Sequence, residues 1–276
     1  MRMRRLLFAA TTVMLVCGAS APTFAQAPVQ GQEPTHDVNA LAKETQNPVG
    51  SLISLPFQVN FNTGGDLEAR TFLNLNFQPV IPFKATQNWS VIARTIVPID
   101  SVPGPDGTRY SGVGDIQEQL FVTPGKPGGL IWGVGPTFSF PTATASPFET
   151  GTWAAGPAVV LVKSTGPFVL GGLLSQLWPL SDAGGAPETN LLTLQPFVNF
   201  NFGHGWAMSF APVMTANWDA SDGNEWTVPI GIGLTRTTVF NRRPMNIGVN
   251  YYYNVERPDG SAAHQLRFVV TLLYPR

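Results

Sequence analysis

Through one long run after another, the apolar residues of this chain fall on a single parity. Leu55, Phe57, Val59 and Phe61 alternate with Ser54, Gln58 and Asn60; Leu73, Leu75 and Phe77 alternate with Asn74, Asn76 and Gln78. Leu266, Phe268, Val270, Leu272 and Tyr274 alternate with Gln265, Arg267 and Thr271. The pattern persists between them: Trp226, Val228, Ile230, Ile232 and Leu234 oppose Thr227, Gly231, Gly233 and Thr235, while Ile247, Val249, Tyr251, Tyr253 and Val255 oppose Asn246, Gly248, Asn250 and Asn254. Side chains at i and i+2 of a strand share a face, so each run has one oily and one polar face. A soluble sheet satisfies that pattern by laying the oily face on a core. A membrane barrel turns it to lipid and keeps the polar face for the lumen.

The first residues favour the barrel. Residues 1–27 read as a secretory signal, with Arg2, Arg4 and Arg5 as the basic region, Leu6 to Val16 as the apolar region, and cleavage after Ala25 or Ala27. That apolar run is too short for a spanning helix, and no later stretch reaches 18 uninterrupted apolar residues. Cys17 is the one cysteine and leaves with the signal; Val16 stands where a lipoprotein would place a small residue. Disulfides and thiolate metal sites are therefore not expected. Charged residues are only 12 % of the chain and the formal net charge is -1, which argues against a nucleic-acid partner. A charge-poor secreted chain with so much aliphatic surface points to an outer-membrane location, with lipid and the barrel-assembly machinery as partners.

Residues 28–50 read as a disordered Gln/Pro-rich leader followed by a short helix. Asp37 caps it, Val38, Leu41, Ala42 and Thr45 share one face, and Asn47-Pro48 ends it. Two placements stay open: a plug docked in the lumen, or a plain periplasmic lead-in. Residues 51–276 then form a single all-β domain, a closed antiparallel transmembrane barrel. Its twelve strands are expected near 51–62, 70–81, 89–99, 112–123, 130–140, 153–162, 168–178, 190–202, 206–217, 225–236, 245–255 and 264–274. Most run about 10 to 13 residues, enough for a tilted strand to cross a bilayer. Connectors such as Pro82–Asn88, Ser164–Pro167, Gly203–Gly205 and Asn241–Pro244 are short and alternate with longer ones, which puts the short set and both termini on the periplasmic rim. Trp89 and Trp206 fall at that rim and Trp153, Trp218 and Trp226 at the other, as an aromatic girdle would.

Two features strain the pattern. Pro56, Pro79, Pro136, Pro157, Pro196, Pro212 and Pro229 lie inside runs, where proline belongs only at bulges or strand ends. Glu118 shares the parity of Ile116, Leu120 and Val122, which would place a carboxylate against lipid. A β-bulge between Asp115 and Leu120 would turn Glu118 into the lumen, near Arg94.

Several segments resemble a known group of proteins. Asn47-Pro48 with Leu52-Ile53-Ser54-Leu55-Pro56-Phe57-Gln58, Gln78-Pro79-Val80-Ile81-Pro82, Gly112-Val113-Gly114-Asp115, Gly129 to Pro136 and Phe140-Pro141-Thr142-Ala143-Thr144 are similar to Gram-negative outer-membrane "transporter" barrels. That group is related to the MetA-pathway of phenol degradation family, some of whose members carry the label neuromedin U. The likeness spans the mature chain. It implies a barrel and the uptake of a small hydrophobic or aromatic compound. The chain departs from the group at its end, where Pro275-Arg276 follow Tyr274.

No catalytic constellation stands out. His36, His204 and His264 are scattered, and alternation puts His204 and Ser209 on opposite faces. No metal-ligand spacing and no cofactor motif is present. Gly133-Val134-Gly135 and Gly231-Ile232-Gly233 lack the helix that a nucleotide motif needs. What remains is the lumen. Arg94, Asp115, Gln117, Gln119, Gln195, Asn199, Asn250 and Arg267 fall on the polar parity, joined by Glu118 if the bulge forms. Arg94 and Asp115, on adjacent strands, read either as a solute-sorting constriction or as an internal brace. A twelve-stranded lumen lies between the filled interior of eight strands and the open pore of sixteen. The leading reading is a channel or uptake barrel for a small solute. The alternatives are a structural or surface-interaction barrel without transport, and a soluble secreted β-protein.

Overall fold

The computed structural model describes residues 37–67, 70–104, 107–125, 128–145, 148, 151–181 and 189–274. The expected signal, most of the leader and Pro275-Arg276 lie outside the described residues. Helix α1 (Val38–Thr45) starts where the Asp37 carboxylate accepts from the Asn39 backbone N–H at 2.9 Å. Twelve strands follow: β1 (Ile53–Thr63), β2 (Thr71–Phe77 and Val80–Lys84), β3 (Trp89–Pro103), β4 (Arg109–Val113 and Ile116–Pro124), β5 (Ile131–Phe140) and β6 (Ala154–Thr165). The second half comprises β7 (Phe168–Pro179), β8 (Leu191–Gly203), β9 (Trp206–Phe210 and Met214–Asn217), β10 (Trp226–Phe240), β11 (Arg243–Glu256) and β12 (His264–Tyr274). Each pairs antiparallel with the next, and β12 returns to β1 from Ile53↔Tyr274 to Thr63↔His264. The result is a closed twelve-stranded barrel. His264 opens β12, where the expected last strand begins.

The strands written in two pieces differ in cause. In β2 the ladder lapses at Pro79, which has no N–H to give, yet Phe57↔Phe77 and Ser54↔Val80 keep one register across it. Pro212 does the same in β9, where Val198↔Phe210 and Leu194↔Met214 agree. These two prolines therefore interrupt strands without bulging them, unlike the expectation. Pro136 and Pro157 face one another across β5 and β6. Of the three breaks only that in β4 is a bulge: Ile99 pairs Val113 but Ile96 pairs Gln117, so Gly114, Asp115 and Ile116 stand against Val97 and Pro98. In unbroken β10 the register also shifts between Val228 and Pro229, where a proline at a bulge was expected.

One rim carries the tight turns. His204 (φ 54°) with Gly205 (φ 76°), and Asn241 (φ 48°) with Arg242 (φ 62°), adopt the paired left-handed conformations of two-residue hairpins. At Gly205 a Cβ would lie 2.1 Å from the Thr237 carbonyl oxygen, so no side chain fits. The outer face is oily: Ile230, Ile232 and Leu234 are 51 %, 55 % and 41 % exposed, with Phe268, Val249 and Leu161 exposed alike. Such a band is far larger than the apolar patches soluble monomers tolerate, so the soluble reading falls away and the protein is an outer-membrane barrel.

The lumen is not uniformly polar. Along β3 to β8 the inward residues include Ile92, Phe121, Val160, Val162, Val169, Leu173 and Phe197, packed into one buried cluster. From β9 round to β2 they are Ser209, Asn246, Asn250, Arg267, Asn60, Asn74 and Asn76, with Tyr252 among them.

Candidate functional site: the lumen

Helix α1 lies against the inner wall at the short-turn rim. Leu41 and Ala42 are buried, and Val49, just past the helix, completes the apolar cluster. The rest of its hold is polar and runs to two turns and to β8. Lys43 Nζ donates to the Gly166 carbonyl at 2.9 Å, the Gly205 backbone N–H donates to Asn39 Oδ1 at 3.1 Å, and Gln46 and Asn201 exchange amide hydrogen bonds at 2.9 and 3.1 Å. Pro48 and the Asn47 turn carry the chain to β1; Ser51 donates to Glu44.

Two cavities flank this segment. A chamber of about 190 Å³ lies inside the lumen, lined by α1's end, by amides of β1, β8 and β11, and by Arg94 and Arg267. A vestibule of about 1020 Å³ lies on the other side, bounded by Lys43, Val49, Lys84, Ile92, Thr123 and Ser164. Asn47 borders both.

A hydrogen-bonded belt crosses the polar wall. Arg267 Nε donates to Asn60 Oδ1 at 2.8 Å, Asn60 Nδ2 to Asn74 Oδ1 at 2.8 Å, and Asn74 Nδ2 to Asp100 Oδ1 at 2.6 Å. Asn76 donates to Asn74, and Gln265 to Asn62. The Arg267 guanidinium also stacks over Tyr252 at 5.1 Å and reaches Gln265 Oε1 at 3.0 Å. Because β9 is interrupted at Pro212, the Ala211 carbonyl is free of the ladder and accepts the Tyr252 hydroxyl at 3.1 Å. Across the chamber, Arg94 donates from Nη1 to Gln119 Oε1 at 2.8 Å and from Nη2 to Gln78 Oε1 at 2.9 Å; Gln119 in turn donates to Ser175.

The expected site residues divide. Arg94, Gln117, Gln119 and Arg267 are on the inward parity. Asp115 is buried in the bulge, where one carboxylate oxygen accepts the backbone N–H groups of Thr142 and Ala143, both at 2.9 Å. It therefore fastens the loop after β5, while Arg94 turns to the amides. Glu118 is a correction. The bulge sits at Gly114–Ile116, upstream of Glu118, and parity is reset before that residue is reached. Glu118 stays outward, paired with Thr95 and Phe138, and accepts the Thr95 hydroxyl at 2.6 Å. That bond compensates part of the cost of a carboxyl on the lipid face.

Sequence reasoning passed over Tyr252; Gln78 and Asn60 it set on the polar face without naming them among the site residues. Tyr252 stands on the inward parity between Asn250 and Asn254, and that position was its signal. All seven tryptophans lie on the outward parity at the two rims: Trp132 joins Trp89 and Trp206 on the short-turn side, and Trp178 joins Trp153, Trp218 and Trp226 on the other. Trp89 meets Trp132 edge-on at 5.9 Å, Trp218 meets Trp226 at 5.8 Å, and Arg236 lies 5.1 Å over Trp206. Ser209 points into the lumen whereas His204 is exposed in its turn, so the structure does not bring them together. Among the described residues, no three His, Cys, Asp or Glu side chains are grouped to hold a metal.

No protein-family model and no curated protein matches the chain. Among solved structures it is similar to an outer-membrane channel from Pseudomonas putida F1, at 13 % identity over 89 % of this chain and 100 % of that one, with a TM-score of 0.61. Looser likenesses run to the outer-membrane phospholipases of Salmonella typhi (11 % identity, 87 % and 97 % covered, TM-score 0.45) and Escherichia coli (10 %, 82 % and 98 %, TM-score 0.43). At these identities the likeness concerns the fold, and the fold is that of an outer-membrane β-barrel.

Proposed function

We propose that this protein is an outer-membrane channel for small solutes, with α1 seated in its periplasmic mouth. The observation that carries the reading is the pair of cavities inside one closed wall, separated by the Asn47 segment rather than by a continuous core. The helix is held by a few hydrogen bonds to two turns and to β8 and a small apolar contact, so it occupies the mouth without being fused to the wall. The resemblance of the sequence to barrels of the phenol-degradation group supports small, partly hydrophobic solutes. Planar-bilayer recording of the purified full-length protein tests it. Discrete channels are expected, and Asn39→Ala with Gln46→Ala should raise their conductance or open fraction. Silence from both proteins would leave a plugged structural barrel and overturn the channel.

A further inference from the structure

The charges facing the inner chamber are of one sign. Arg94 and Arg267 line it, and among the described residues no carboxylate does. Both side chains are deeply buried, 9 % and 7 % exposed. Buried guanidiniums ordinarily stand against carboxylates, because removing a full charge from water is expensive and amide dipoles compensate only part of it. Here every acceptor is neutral: Gln78 and Gln119 for Arg94; Asn60, Gln265 and the Ala211 carbonyl, the last at 3.5 Å, for Arg267. The carboxylates nearest along the same inner wall are already engaged. Asp100 accepts from Asn74, and Asp115 holds the backbone of Thr142 and Ala143. Each guanidinium has donors to spare beyond these bonds. The low-dielectric wall concentrates the field of two uncompensated cations into a chamber of about 190 Å³.

The remaining lining says what kind of anion fits. Phe197, Val80 and Val269 present hydrocarbon to the same space, alongside Gln58, Gln195 and Asn199. A fully polar oxyanion would leave that hydrocarbon against its hydration shell. An organic acid satisfies both parts, its carboxylate on the guanidiniums and its apolar body on Phe197 and Val80. At about 190 Å³ the chamber is of the order of the roughly 150 Å³ apolar cavity that holds a benzene ring, which limits the guest to a small one.

We propose that the chamber binds a small organic carboxylate, with Arg94 and Arg267 as its anion-holding residues. The proposal deepens the channel reading, since it names the class of solute that the path would accept. Titration calorimetry of the full-length protein in detergent, with benzoate, acetate and inorganic phosphate as probes, measures the site apart from transport. Benzoate should bind best, and Arg94→Gln with Arg267→Gln should weaken it at least tenfold. Should that double variant misfold, Asn199→Asp leaves both arginines and their partners in place and adds a carboxylate to the chamber; it should abolish benzoate binding. In planar bilayers under a salt gradient, the reversal potential should show preference for anions and shift towards cations in Asn199→Asp. Benzoate binding without any current would uphold the site and sink the channel. Current with neither anion preference nor benzoate binding would uphold the channel and sink the site. Phosphate binding as tight as benzoate would overturn the organic part of the assignment.

Discussion

The two halves of the lumen solve different problems with the same strands. Along β3 to β8, Phe121, Ile92, Val160, Val162, Val169 and Leu173 fill the interior as a soluble core would, and Val49 closes the cluster from the short-turn end. From β9 to β2, Asn60, Asn74, Asn76, Arg267 and Tyr252 bond sideways along the wall and leave the chamber beside them. Apolar side chains gain by meeting each other and close the space between them. Amides bonded to neighbours on the same wall are satisfied without crossing the lumen, so a cavity survives. The first half supplies the packed cluster, the second the inner chamber.

That contrast can be broken in graded steps. Phe121→Ala, which empties the middle of the apolar half, should cost about 3–5 kcal/mol in urea unfolding from lipid vesicles. A loss below 1 kcal/mol would mean that the cluster does not carry the fold. Leu75→Arg places a charge on the lipid face of β2 and should cost about 2–4 kcal/mol, whereas Asn76→Arg, one residue on and inward, should chiefly change conductance. Equal destabilisation by both would contradict the facing of that strand. In the polar half, Arg267→Met should cost about 1–3 kcal/mol by leaving Asn60 and Gln265 short of a donor. A cost matching that of Phe121→Ala would show that the belt is as structural as the core. Smallest of all, Glu118→Gln on the outer face should move stability by less than about 1 kcal/mol, because the Thr95 hydroxyl still finds an acceptor. A large loss would reveal a partner beyond Thr95.

How much of this was readable from residues follows the same division. In β1, β2, β11 and β12 most inward positions are Asn, Gln, Arg, Ser or Thr, with Val80, Tyr252, Val269 and Leu273 among them, so alternation largely told wall from lumen. In β6 and β7 it is silent. Val159-Val160-Leu161-Val162 is apolar on both faces, and the filled half of the lumen could not be distinguished from lipid-facing surface before the strands were closed. The bulge announced itself through Glu118 and Gly114-Asp115, yet either side of Glu118 would have accommodated it. Its position was decided by the bonds Asp115 makes to Thr142 and Ala143, residues of a loop more than twenty positions away. The helix was legible in its Asp37 cap and its Leu41-Ala42 face. Its berth was not, because Asn39 and Gln46 find Gly205 and Asn201 only once the barrel is round.

The berth has a mechanical side. The chain leaves β1 through residues 46–52, and its helix, about 12 Å long, is pinned to the turns β6–β7 and β8–β9. It is thus a tie rod between the seam where the barrel closes and the far part of its rim. Sideways squeezing that made the mouth oval would stretch or slacken this rod, and its end bonds at Gly166 and Gly205 would feel the change first.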